Sequence, residues 1–224
     1  MTDPLPRFPD RKAAGRALAR ELAALHLVDP VVLALPRGGV PVGYEIAREL
    51  SAPLDLVLVQ KIGAPGHSEY AIGAIVDGEN PELVIDHESA DAVGASEAYI
   101  ASKIEAALKE IGRRRSAYGI DSRLDLAGRT AIVVDDGIAT GSTVKVALKA
   151  VREAGPERIL LAVPVAPPDT LSELRELSDE VFCLIQPRPF YAVGAYYDDF
   201  GQTSDAEVVN CLERAQAFAN KPDL

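Results

Sequence analysis

The sequence predicts an α/β fold, a mostly parallel sheet with helices on both faces. Two observations carry this. Strand-sized apolar runs alternate with amphipathic helical repeats, and VVLAL (31–35), AIVV (131–134) and RILLAVPV (158–165) are apolar throughout rather than at every second position. Continuous apolar strands belong in sheets buried on both faces, and strand–helix alternation gives parallel pairing through crossover helices. A chain of 224 residues suits one well-buried domain, 1–224, with elaborations, and no repeat or linker divides it.

The elements follow in order. Asp10 is a suitable N-cap, and Ala14, Leu18, Leu22 and Leu25 lie on one face of a helix ending before Asp29-Pro30. VVLAL is a buried strand that breaks at Pro36-Arg37-Gly38-Gly39, and Val40, Tyr44, Ala47 and Leu50 mark a second helix. LDLVLVQ (54–60) reads as one strand and KIGAPGHSEY as a loop, because of its two glycines and proline. AIGAIVD and ELVID (71–77, 82–86) form a possible hairpin around Gly78, Asn80 and Pro81. Ile100, Ile104, Ala107, Leu108 and Ile111 share a helical stripe, followed by a polar connection from Gly119 to Gly128. Strand 130–134 leads to a helix carrying Val144, Ala147, Leu148 and Val151. Strand 158–165, helix 167–178 with proline in its first turn, and strand 180–185 complete the alternation.

Composition narrows the functional classes. A formal charge of −11 argues against general nucleic-acid binding, since phosphate contacts need a basic face. Arg113-Arg114-Arg115 falls near a helix end, where cations meet the dipole favourably, and reads as solvated. No apolar run approaches a bilayer span and MTDPLPRFPD lacks an export signal, so a cytoplasmic protein without membrane contact is expected. Cys183 and Cys211 form no disulfide framework or metal motif and read as inert core residues. His26, His67 and His87 have no ligand spacing.

The chemistry concentrates in AIVVDDGIATGSTVKVAL (131–148), where four apolar residues run into Asp135 and Asp136. Burying neighbouring like charges is costly, so both should lie at an exposed strand end. Thr140-Gly141-Ser142-Thr143 then enters a helix, where free backbone amides, hydroxyls and a glycine permitting close approach suit a phosphate. Taken alone, TGST is an N-cap turn. The preceding acids suggest more, since they could accept hydrogen bonds from sugar hydroxyls or help hold a hydrated Mg²⁺. No Walker loop or dinucleotide fingerprint is present.

This pattern of apolar strand, two acids, short loop and Thr-Gly-x-Thr resembles the 5-phosphoribosyl-1-pyrophosphate (PRPP) signature of type I phosphoribosyltransferases. The resemblance implies that Asp135, Asp136, Gly137, Ile138, Ala139, Thr140, Gly141, Ser142 and Thr143 bind PRPP. LPRGGVPVG is similar to the family's pyrophosphate loop, which assigns Arg37, Gly38 and Gly39 to the leaving group and allows for a non-proline cis peptide. LVQKIGAPGHSEYAIG resembles the lysine-bearing strand end and mobile catalytic loop. That likeness places Lys61 on pyrophosphate and Glu69 as general acid/base, with Lys61, Arg37 and Glu69 the catalytic set. Taken alone, Arg37 to Gly39 are a tight turn, Lys61 an exposed lysine and Glu69 a solvated loop acid. GHSEY approaches a serine-hydrolase elbow, but Tyr70 stands where its last glycine belongs.

Members acting on 6-oxopurines have aspartate where this chain has Ala139, so DDGIATGST is closer to the adenine-specific form and a purine is the expected base. RPFYAVGAYYDDFGQTSDAEV resembles a C-terminal hood, 186–224. In that hood Phe190 or Tyr191 would stack on the base, and Asp198 or Asp199 would lie near the metal, the metal set being Asp135, Asp136 and Asp199. Taken alone, these aromatics are packing residues. Residues 77–128 have no counterpart and read as an insertion. LPRGGVPVG, KIGAPG and VVDDGIATG together are most similar to a phosphoribosyltransferase subgroup of unsettled substrate. The resemblance implies transfer from PRPP to a nitrogenous base with Mg²⁺ as cofactor, in nucleotide salvage, by a homodimer. The alternative is a PRPP- or nucleotide-sensing regulator without turnover. PRPP synthesis would resemble two tandem domains of this type, and one is present.

Overall fold

The computed structural model describes residues 6–77, 81–120 and 124–219. Its centre is a five-stranded parallel sheet of β1 (Pro30–Ala34), β2 (Leu54–Leu56), β6 (Thr130–Val134), β7 (Arg158–Val165) and β8 (Glu180–Ile185), in the order β2-β1-β6-β7-β8. The order reverses between β1 and β6. In open α/β sheets, the carboxyl ends of the strands at such a point form a crevice where ligands bind.

Strand residues alternate between two apolar layers, as a period of two requires. Val32, Ile132, Val134, Leu160 and Ala162 meet α1 (Arg11–Ala23) and α2 (Gly39–Leu50) on one face. Val31, Leu33, Ala131, Val133, Leu161 and Val163 meet α5 (Ser142–Glu153) and α6 (Pro168–Leu174) on the other. Asp10 caps α1 as expected, its carboxylate accepting from the Ala13 amide at 2.6 Å. Helix α6 is shorter than the 167–178 pattern, because its last turn loosens after Leu174.

Two expectations are corrected in residues 54–70. LDLVLVQ divides: β2 pairs with β1, the chain leaves the sheet at Val57-Leu58, and β3 (Val59–Ala64) begins a second, antiparallel sheet. KIGAPGHSEY is mostly strand. Pro65 and Gly66, the latter at φ +72°, make a two-residue turn into β4 (His67–Val76), with proline supplying the fixed φ and glycine the positive one. β4 pairs with β5 (Glu82–Ile85), so the expected hairpin forms; its turn residues Gly78 and Asn80 lie outside the described residues.

Residues 77–128 supply β5, α3 (His87–Ala92) and α4 (Glu97–Ala117). Asp86 caps α3, which the apolar pattern did not signal. Ala107 and Ile111 of α4 pack with Leu56, Leu58 and Ile75, and also with Val208 and Leu212 of α7 (Asp205–Ala219). Part of the polar connection, 121–123, and the last residues, 220–224, are outside the described set. None of the described helices is long and apolar enough to cross a membrane.

Candidate functional site

The loops that follow β1 and β6 meet at the reversal point. After β1, the Pro36–Arg37 peptide is cis. The Gly39 amide donates to the Leu35 carbonyl at 3.0 Å, so of the three residues assigned to the leaving group, Gly39 has its N–H engaged within its own turn. The glycines serve close approach. A Cβ on Gly38 would lie 2.1 Å from Asp136 Oδ2, and one on Gly39 would lie 2.7 Å from the Val134 carbonyl oxygen. The two loops thus touch through positions where only glycine fits. Arg37 extends from this turn, its Nη1 3.9 Å from Asp205 Oδ1 at the start of α7.

After β6, the expectation of two exposed aspartates is corrected: both are only partly exposed. Asp135 Oδ1 accepts from the Asp136 amide at 2.8 Å. Asp136 Oδ2 accepts from Arg11 Nε at 2.7 Å, with the two side chains 15% and 12% exposed. Burial pushes both carboxyls above the usual range. For Asp135 the neighbouring charge adds to this, whereas for Asp136 the Arg11 guanidinium opposes it. The pair is sheltered because Gly38 and Arg11 close over Asp136. The apolar pattern around residue 135 carries no sign of either.

The chain then turns through Gly137 and Ile138, whose amide donates to the Val165 carbonyl at 2.9 Å. Gly141, at φ +73°, leads into α5, and no side chain caps that helix. Ala139, Thr140 and Ser142 are exposed, with Thr143 partly so, and Thr170 Oγ1 secures the turn by donating to the Ala139 carbonyl at 2.9 Å. The result is an open, uncapped helix N-terminus just beyond two carboxylates. Amides and dipole there favour an anion.

Lys61 is exposed within β3, so it sits on the antiparallel sheet and not at the end of a core strand. Glu69 falls within β4, and its side chain lies outside the described residues. Phe190 is partly buried and stacks on Tyr196 with ring centroids 5.8 Å apart, whereas Tyr191 is 70% exposed. Asp198 pairs with Arg7 at 3.3 Å. Asp199 Oδ1 accepts from the Gly201 amide at 3.0 Å. Among the described residues, no three carboxylate, imidazole or thiolate groups converge as a metal cluster.

Sequence reasoning missed several neighbours of the site. The sequence gives Arg11 and Thr170 no role, and it places Tyr197 and Phe200 only within the hood-like segment. Their contacts, including the Tyr197 hydroxyl's bond to the Asp136 carbonyl at 2.6 Å, are tertiary and leave no local pattern. Arg115, read as solvated, reaches the shielded Asp77 with Nη1 2.6 Å from its Oδ2.

Comparison with known proteins gives consistent findings. The family profile described as phosphoribosyl transferase domain matches residues 7–199. A Mycobacterium tuberculosis (strain H37Rv) protein named "Putative phosphoribosyl transferase Rv0571c" is 45% identical over 210 residues, 93% of this chain and 47% of that protein. This chain therefore spans about half the length of that relative. The crystal structure of TT1426 from Thermus thermophilus is similar with a TM-score of 0.79 and 42% identity, over 93% of this chain and 98% of that one.

Proposed function

Because the chain belongs to the phosphoribosyl transferase family, we propose that it transfers the 5-phosphoribosyl group of PRPP to a nitrogenous base and releases pyrophosphate. The observation that carries this reading is the uncapped start of α5, set behind Asp135 and Asp136 where the sheet order reverses.

In this reading the exposed segment 139–143 receives the 5-phosphate on backbone amides and the Thr140, Ser142 and Thr143 hydroxyls. Asp135 and Asp136 face the ribose hydroxyls. The bond from C1 to the pyrophosphate oxygen breaks as a bond from C1 to a base nitrogen forms, and positive charge builds on the ring meanwhile. Catalysis is then positioning of the sugar together with stabilisation of the departing anion, for which Arg37, the 37–38 turn and Lys61 are the cationic and polar groups. Glu69 is the proposed acceptor of the proton that the base nitrogen loses. Tyr191, exposed and without a ring partner among the described residues, suits base stacking better than Phe190, whose ring already packs on Tyr196. Ala139, where 6-oxopurine enzymes have an acid, favours an adenine-like purine.

Asp135 and Asp136 are hard oxygen donors that fit Mg²⁺. With no three such groups converging among the described residues, most of its shell would come from substrate oxygens and water. When bound, Mg²⁺ would neutralise charge on the pyrophosphate. Turnover with a panel of free bases, PRPP and Mg²⁺ tests the reading. Steady pyrophosphate release with one class of base supports it. Tight PRPP binding with no base consumed would favour a sensor instead.

A further inference from the structure

Asp136 is held by groups outside its own motif. Arg11 Nε donates to its Oδ2 at 2.7 Å, Gly38 leaves the space that carboxylate fills, and the Tyr197 hydroxyl donates to its carbonyl oxygen at 2.6 Å. Arg11 is fixed in turn. Its Nη1 donates to the Gly201 carbonyl at 2.6 Å, and its guanidinium lies 4.0 Å from the centre of the Phe200 ring. That ring stacks on Tyr197 at 5.0 Å. The contacts close a circuit from Arg11 through Asp136, Tyr197 and Phe200 back to Arg11. It joins the first turn of α1 to the segment after Tyr191. An arginine spanning two acceptors and a ring face uses its planar fork, which a lysine cannot reproduce.

We infer that Arg11 is a positioning residue of the sugar site, acting through Asp136. This rests on the PRPP reading above. A carboxylate offers about four lone-pair sites over two oxygens, so Arg11 can hold Oδ2 while other sites accept from a ribose hydroxyl. Arg11 therefore sets which way the acid faces. Through Gly201 and Phe200 it also makes that orientation depend on residues 197–201, which follow the base-facing part of the hood.

The test is calorimetric titration of PRPP with Mg²⁺ into the wild type, R11Q, R11K, F200L, D136N and the R11Q/D136N double variant, each with its melting temperature. R11Q is expected to bind PRPP about tenfold or more weakly, because Asp136 loses the donor that orients it and its own hydrogen bond to the ribose weakens. R11K should fall between it and the wild type, because charge returns without the fork. F200L should show a smaller loss. The double variant should bind no worse than D136N alone, because Arg11 acts through that acid. Wild-type affinity in R11Q, or losses that add in the double variant, would overturn the inference. If R11Q does not fold, R11K decides: a several-fold loss at an unchanged melting temperature supports the inference, and wild-type affinity overturns it. A wild type that binds no PRPP overturns the functional reading as well, which distinguishes the two failures.

Discussion

Arg11 and Asp136, 125 positions apart in the chain, form an ion pair of 2.7 Å with both side chains largely shielded from water. Exposed pairs contribute only about 0–1 kcal/mol, but removing one partner of a sheltered pair leaves an uncompensated charge. Substitutions at this pair should therefore act on ligand binding as much as on folding.

Gly38 gives the sharpest steric case. Its φ of −62° suits any residue, so Gly38→Ala carries no backbone strain, yet its Cβ would fall 2.1 Å from Asp136 Oδ2. The carboxylate must move. PRPP binding by G38A is expected to weaken on the order of tenfold or more, the effect of losing a hydrogen bond between a displaced carboxylate and the sugar. Titration calorimetry of a correctly folded G38A checks this.

Gly141 is constrained by its backbone. At φ +73° a side chain costs about 1–2 kcal/mol, and a Cβ there would also lie 2.8 Å from Thr170 Cγ2. G141A should lower the denaturation midpoint by at least that cost. Thr170→Val keeps the shape but removes the bond to the Ala139 carbonyl, for an expected loss of about 0.5–1.5 kcal/mol. Urea unfolding measures both.

The core should separate two leucines that look alike in sequence. Leu148 is fully buried against the sheet, and L148A should cost about 2–5 kcal/mol. Leu108, on the stripe assigned to α4, is 39% exposed, and L108A should fall within the roughly 0.5 kcal/mol typical of surface positions plus a small packing loss. Equal costs in urea unfolding would contradict this packing.

Both thiols should be slow. Burial pushes Cys183 up to about 11 and raises Cys211 as well, and Cys183 Sγ donates to the Ile185 carbonyl at 3.3 Å. A thiol this far above the working pH presents little thiolate. At pH 8 the native chain should react with a thiol reagent far more slowly than the denatured chain, in which both should titrate fully.

At the end of α4, Arg113 and Arg114 bond to Glu110 and hold its carboxyl down at about 2. The folded value lies below the unfolded one of 4.5, so the contribution is present above about pH 4.5 and is lost as pH falls towards 2. Because these groups are substantially exposed, the effect should be small and shrink with salt. Acid titration of E110Q beside the wild type should show a shallower loss of stability in the variant over that range.

The sheet was legible because its strands are apolar on both faces, so VVLAL, AIVV and RILLAVPV could belong nowhere else. Asp10 and the stripe of α1 were equally plain. Residues 54–70 misled, because β propensity does not say which sheet a strand joins, and Pro65-Gly66 signals a hairpin turn as readily as a loop. The loops of the candidate site were located by motif. Their shelter came from Arg11, Tyr197 and Phe200, which approach from remote parts of the chain and leave no spacing to read.

In the proposed reaction the amides at the start of α5 hold the terminal phosphate of a phosphorylated sugar. Backbone amide resonances recorded during titration with PRPP and Mg²⁺ test it most directly. Large shifts are expected to concentrate in residues 137–144, with further shifts at 37–39. Saturable binding that leaves those amides unmoved and instead shifts residues of the cleft between α2 and α7, around Tyr44 and Arg214, would contradict it.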